Sequence, residues 1–250
     1  MYQFFVEDEQ IANDLVIIEG SDVNHIRNVL RMKCGEKVRI SSTSGRNFFG
    51  TIDRIAENVV EVCITEETAL DTELPCRICL FQGLPKSDKM ELIIQKAVEL
   101  GAYEIVPVAT KRAVVKLDAK KEKSKLARWQ AISEAAAKQS KRAVIPQVHS
   151  VMSFAQALAY ADMLDVRLIP YEMAEDMAKT RSLIEEIRPG QSIGIFIGPE
   201  GGFAPEEIEQ AMAHAAQPIT LGKRILRTET AGMTVLSILM YTLEGQELKA

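Results

Sequence analysis

The apolar residues of the chain change period once, near Pro75, and that change divides the sequence into two parts of different build. Before it, QFFV, DLVII, KVRISS, NFFGTIDRI and NVVEVCIT are short β-branched and aromatic runs punctuated by glycine and polar residues, the pattern of strands. One short helix is expected near Asp22 to Arg31. Short strands around a single helix predict a small β-barrel over residues 1–72. ETALDTELP (67–75) reads as the linker. Beyond it, CRICLFQGL, EIVPVA, AVIPQV, MLDVRLIP, QSIGIFIG and QPITLG read as strands. Between them lie helical stretches: Asp88 to Leu100 with Gly101 as its left-handed cap, Ser124 to Ser140, MSFAQALAYA, APEEIEQAMAHA, and Glu229 to Thr242. Alternating strand and helix predict an α/β domain over residues 73–250, its mostly parallel sheet covered on both faces.

With 250 residues, 47% of them hydrophobic, the chain can bury two ordinary cores. No apolar run approaches the roughly 18 residues of a membrane helix. MYQFFVEDEQ carries acids where a signal peptide carries basic residues, so a cytoplasmic protein with no membrane partner is expected. The net charge of -5 is unevenly spread. Residues 1–70 hold 7 basic and 12 acidic side chains, residues 71–150 hold 15 and 9, and residues 151–250 hold 8 and 14. Most of the positive charge lies between Lys111 and Arg142, including Lys116. A basic block in an acidic chain suits a polyanion, because each cation placed at a phosphate releases a counterion. A solvated helix face is the alternative.

Two stretches carry candidate chemistry. In IFIGPEGGF (195–203) a strand runs into Gly198, Pro199, Glu200, Gly201 and Gly202, and a helix start follows at Pro205. Such a turn lets a ligand approach the backbone and offers free helix N–H groups. It is not GxGxxG, and it comes too late in the chain for a dinucleotide fold; without GK[ST] it is no P-loop either. In LGKRILRTETAGM (221–233) a strand end is followed by Lys223, Arg224 and Arg227, then by Thr228 and Glu229 at a helix start. Successive strand ends would place glycine, arginine and glutamate on one edge of the sheet. The plainer readings are a structural turn for the first and a capped helix for the second, with Thr228 as N-cap and Glu229 favouring the dipole. Capping leaves the three cations unexplained, since the dipole disfavours them there.

GPEGGF followed by LGKRILRTETA strongly resembles the RsmE family, bacterial small-subunit ribosomal RNA (uracil-N3)-methyltransferases of the SPOUT superfamily. HIRNVLRMKCGEKV (25–38), GLPKSDKMELIIQKAVELGAYEIVPV (83–108) and ARWQAISEAAAKQSKRAVIPQV (127–148) resemble further family segments, collinear over nearly the whole chain. The resemblance implies a PUA-like, RNA-binding β-barrel followed by a SPOUT domain with a deep trefoil knot. It also implies a homodimer, S-adenosylmethionine as donor, and a uridine of 16S ribosomal RNA, free or in the assembled small subunit, as acceptor. The chain departs from the family at Gln3, where Arg is expected, at Lys223 in place of Pro, and at Ala135, where a Glu is expected and Glu134 sits one position early.

By the same resemblance, Pro170, Ile197, Gly198, Pro199, Leu221, Gly222, Ile225 and Leu226 hold the donor. Glu229 is the candidate base, with Glu200 second, and Arg227 the candidate stabiliser of the uracil anion. Lys86, Gln139 and Arg142 are expected at the RNA beside the active site, and Arg27 and Arg31 in the barrel, where helical spacing would put the last two on one face. No metal is expected: Cys76 and Cys79 lack a second ligand pair and read as buried structural thiols. His149 and His214 read as isolated, and His25 as structural. Two other functions fit the same residues: a SPOUT methyltransferase with another RNA target, and a non-catalytic ribosome-assembly factor.

Overall fold

The computed structural model describes residues 1–69, 72–115 and 117–246; Leu70 and Asp71 of the expected linker and Lys116 of the basic block lie outside them. The chain forms two compact units. The first comprises Met1–Glu73 with Ala137–Val144, and the second Leu74–Ala136 with Ile145–Ala250.

The first unit is a six-stranded sheet of β1 (Tyr2–Val6), β2 (Ile11–Ala12), β3 (Leu15–Glu19), β4 (Lys37–Ser42), β5 (Asn47–Ile55) and β6 (Val59–Glu67), in the order β1-β4-β5-β6-β3-β2. Its two end strands follow each other in the chain, joined only by a single 3-10 turn at Asp8–Gln10. From Val6 to Ile11 an extended chain spans at most about 18 Å. A flat sheet would separate those edges by about 24 Å. The sheet therefore curls. Alternate residues point inward, among them Phe4 and Val6, Val16 and Ile18, Val38 and Ile40, Val60 and Val62, and they form one core.

Two expectations for this unit are corrected. The helix α1 is only Ser21–Asn24, followed by a π-turn at His25–Val29. The chain then closes with Leu30 N–H donating to His25 O and Met32 N–H to Ile26 O, and Arg31 takes φ +53°. Arg27 and Arg31 are both exposed, but no helical face carries them together. Arg142, expected at RNA, is 3% exposed. Its Nε donates to both carboxylate oxygens of Glu73 at 2.9 Å, and Ala143 N–H donates to the same carboxylate. That guanidinium is engaged inside the fold. Gln3 is buried too, donating through Nε2 to Ser41 Oγ and the Arg142 carbonyl, so the departure at this position falls inside the unit and not on its surface.

The second unit is a parallel sheet of β7 (Arg77–Gly83), β8 (Ala102–Ala109), β9 (Gln147–Val148), β10 (Met152–Ser153), β11 (Val166–Pro170), β12 (Ser192–Ile197) and β13 (Gln217–Ile219). Its order is β10-β8-β7-β12-β11-β13, with β9 also on β8. The central β7 and β12 are buried on both faces, hence their nearly unbroken apolar runs. Phe81 and Phe196 stack across them at 4.4 Å. The covering helices are α2 (Lys89–Glu99), α3 (Ala119–Ser140), α4 (Phe154–Ala161), α5 (Met177–Glu185), α6 (Pro205–Ala213) and α7 (Thr228–Leu243); the last turn of α3 groups with the first unit. Gly101 ends α2 at φ +91°, as its position after the apolar stripe requires. The expected strand over 143–148 shrinks to Gln147–Val148, because Ala143 N–H serves Glu73 and Pro146 has none to give. Among the described residues no helix is long and apolar enough to cross a membrane.

The chain enters the sheet's far half at β11, steps back to β12 beside β7, then crosses to β13 on the other side of β11. The direction of winding reverses there. In open α/β sheets, ligands bind outside the carboxyl ends of the strands at such a point.

Candidate active site

The loops leaving β11, β12 and β13 wall one cavity of about 1240 Å³. Pro170 closes β11. Ile197 ends β12, and Gly198 and Pro199 begin the elbow. Leu221, Gly222, Ile225 and Leu226 follow β13. All eight residues expected to hold the donor line this cavity, and so do Glu200, Arg227 and Lys89.

The elbow needs its glycines. Gly202 has φ +64°, and its N–H donates to Pro199 O at 2.9 Å, closing the turn. A Cβ on Gly198 would stand 3.1 Å from the Gly202 backbone. The helix after it starts at Pro205, and Glu207 accepts from the N–H groups of Ala204 (2.8 Å) and Lys111 (2.7 Å). Arg112 donates to Gly201 O at 2.9 Å from the loop after β8. In the second stretch Gly222 has φ +107°. Here the capping expectation is corrected: the N-cap of α7 is Arg227, without a side-chain cap bond, and Thr228 is already helical. Thr228 Oγ1 instead donates to Gly198 O at 2.6 Å and accepts from Gln82 Nε2 at 2.9 Å.

The carboxylates of Glu200 and Glu229 share one cation. Lys89 Nζ lies 3.0 Å from Glu200 Oε1 and 3.2 Å from Glu229 Oε2. Glu229, partly buried, meets Lys89 beside the cavity and is not itself on its wall. The hydrogen bond to Glu200, opposed by desolvation and helped by Glu229, raises the Lys89 ammonium above the ordinary lysine value, so Lys89 is a cation and no base at neutral pH. Burial pushes the Glu200 carboxyl up, but its own backbone N–H, Lys89 and Lys86 N–H outweigh that and hold it below the usual carboxylate range. Sequence reading missed Lys89. It sits in the matched segment 83–108, but no spacing rule joins it to two glutamates contributed by two other strand ends.

The depressed Glu200 carboxyl makes an acid-sensitive contribution. Its stabilisation is full above the unfolded-state value of about 4.3 and is lost as pH falls through the lower folded value. Glu200→Gln is therefore expected to melt below the wild type at pH 7, with the gap narrowing in acid, below pH ~4, as the wild-type carboxylate protonates. Thermal unfolding at both pH values checks this, and a gap independent of pH contradicts it.

Lys223, Arg224 and Arg227 are exposed, and among the described residues none has an ion-pair partner. The Lys86 side chain is exposed in the loop after β7, and Gln139 is exposed in the last turn of α3. The histidines read as isolated are not: His149 Nε2 and Tyr160 Oη share Glu104 Oε2 at 3.0 and 2.6 Å, and His214 Nδ1 meets Asp162 at 2.9 Å. Cys76 and Cys79 are buried free thiols, both pushed up by desolvation.

A parallel sheet whose three strand-end loops, two of them glycine-bearing, enclose a cavity with exposed cations beside it suits an enzyme of a class that handles a small cofactor and a polyanion. The comparisons with known proteins name the class. A family model described as an RNA methyltransferase domain matches residues 72–240, and one described as an RNA methyltransferase PUA domain matches residues 18–62. The protein of Bacillus subtilis named Ribosomal RNA small subunit methyltransferase E is 36% identical over 98% of both chains. Among solved structures, the Neisseria gonorrhoeae protein of that name, bound to S-adenosyl methionine, has TM-score 0.83 and 31% identity, covering 96% of this chain and 97% of its own. A Legionella pneumophila methyltransferase with bound SAM has TM-score 0.84 and 31% identity at the same coverage. The chain belongs to the ribosomal RNA small subunit methyltransferase E family, RsmE.

Proposed function

We propose that this chain transfers a methyl group from S-adenosylmethionine to N3 of a uridine in small-subunit 16S ribosomal RNA. The observation that carries the reading is the cavity at three adjacent strand ends with Arg227 on its wall and the Lys89-bridged pair Glu200 and Glu229 at its side. The residues fit the donor. Gly198 and Gly202 bring no side chain to the elbow, Ile197, Leu221, Leu226 and Pro170 supply apolar walls, and the nearby carboxylates suit a sulfonium cation.

When bound, the donor supplies an electrophilic methyl group. The elbow and the loop after β13 orient it, since in-line transfer needs approaches of about 3–3.5 Å. Glu229 takes the N3 proton, and Arg227 stabilises the charge that develops on the uracil oxygens. Glu200, held low, fixes Lys89 and the Lys86 backbone and does not compete as base. Exposed Lys86, Lys223 and Arg224 meet RNA phosphates, and the first unit serves RNA binding through Arg27 and Arg31, with Gln139.

The same proposal includes a deeply knotted C-terminal part, a cytoplasmic location and a homodimer. Ile238 and Tyr241, three residues apart on α7, are 37% and 85% exposed, an apolar face that supports pairing of two copies. Calorimetric titration with S-adenosylmethionine tests the donor reading and sedimentation tests the dimer. Saturable one-to-one uptake per chain is expected, and heat no greater than dilution would remove the reading.

A further inference from the structure

A buried polar chain runs from the end of β7 to the cavity wall, where Gly198 and Thr228 stand. Gln82, next to last in β7, is fully buried; its Nε2 donates to Gly83 O at 2.9 Å and to Thr228 Oγ1 at 2.9 Å, and Thr228 Oγ1 lies 2.6 Å from Gly198 O. Valence fixes the direction of this chain. A backbone carbonyl only accepts, so the nitrogen of the Gln82 amide, not its oxygen, faces Gly83 O. The same nitrogen faces Thr228, whose oxygen accepts and whose single proton goes to Gly198 O. The reversed amide would set oxygen against oxygen.

Three parts of the site hang on that chain: the end of β7, the first peptide of the elbow, and the start of α7. Thr228 stands between Arg227 and Glu229, the two groups assigned to the acceptor. A second contact acts at the same place. A Cβ on Gly83 would lie 2.7 Å from both N and Cδ of Pro199, so the β7 backbone abuts the Gly198–Pro199 peptide directly. A helix start could have used Thr228 as its cap, but Arg227 holds that position and the hydroxyl is turned to the elbow.

We propose that Gln82 and Thr228 are positioning residues of the methyl transfer. They act through Gly198, setting the elbow against which the donor lies, and through the start of α7, setting Arg227 and Glu229 relative to that elbow. The proposal rests on the donor reading above.

Thr228→Val keeps the shape and removes both hydrogen bonds, which leaves the Gly198 carbonyl and a Gln82 N–H buried without these partners. A loss of that kind is worth about ten- to a hundredfold in an equilibrium constant. The test is S-adenosylmethionine titration together with amide hydrogen exchange at Gly201 and Gly202, on the wild type, Thr228→Val, Thr228→Ser and Gln82→Met. Expected are donor binding weaker by about ten- to a hundredfold and faster elbow exchange in Thr228→Val, recovery of both in Thr228→Ser, and an intermediate result in Gln82→Met. A folded Thr228→Val that binds donor like the wild type overturns the proposal, as does an equal loss in Thr228→Ser. If Thr228→Val does not fold, Gln82→Met decides, and wild-type affinity and exchange in that variant overturn the proposal. A wild type that takes up no donor overturns instead the donor reading on which it rests.

Discussion

Glu229→Gln is expected to lower turnover by about 10²- to 10⁴-fold while leaving donor affinity near that of the wild type. Glutamine keeps the shape of the side chain but cannot take the N3 proton. The donor should be indifferent, because Glu229 is not on the cavity wall, while Lys89 keeps Glu200 as partner. Single-turnover methyl transfer with saturating donor isolates the chemical step from binding. Unchanged turnover with intact donor binding would sink the assignment. Glu200 would then be a poor substitute, since its carboxyl is held low and a weaker base results.

The second large effect is expected at a residue with no chemistry. Gly83→Ala puts a methyl group 2.7 Å from Pro199 N and Cδ, a backbone atom and a rigid ring that cannot rotate away. Either β7 or the elbow must move. Overpacking of this kind costs about 1–3 kcal/mol. A shift of about 1 Å at a reacting site costs about a hundredfold in rate. Gly45→Ala is the comparator: its φ of +87° makes alanine strained, but nothing lies within 4 Å and the donor cavity is not involved. Thermal unfolding and donor titration separate the two. Both variants should lose stability, and only Gly83→Ala should lose donor affinity. Equal donor affinity in both would mean that the contact with Pro199 does not shape the elbow.

What the sequence made legible follows from how local each signal is. The period change at Pro75, the stripe ending in Gly101 and the paired glycine stretches are short-range patterns, and the structure has the corresponding elements. The helix Met177–Glu185 was not anticipated: it has only two buried residues, Thr180 and Ile184, too thin a stripe to announce itself. Of the three strand-end loops that wall the cavity, the two after β12 and β13 show their glycines in sequence. The side chains that join them do not show there. Lys89 meets two carboxylates from distant segments, and Gln82 meets Thr228 across the sheet. Thr228 fits a capping rule that its hydroxyl does not follow, and Arg142 reads as surface charge until Glu73 is seen beside it. Local rules assign residue types to turns and caps; they carry no information about which buried partner is nearer.

The most direct measurement of the central claim uses small ribosomal subunits from cells lacking this protein. They would be incubated with the purified protein and isotopically labelled S-adenosylmethionine, and the digested RNA would be resolved into nucleosides. Label in 3-methyluridine is the predicted result, fixing donor, acceptor atom and reaction together. Label in another nucleoside would contradict the assigned acceptor. No label on either subunits or free RNA, from a protein that still binds RNA, would contradict catalysis itself and leave a binding factor.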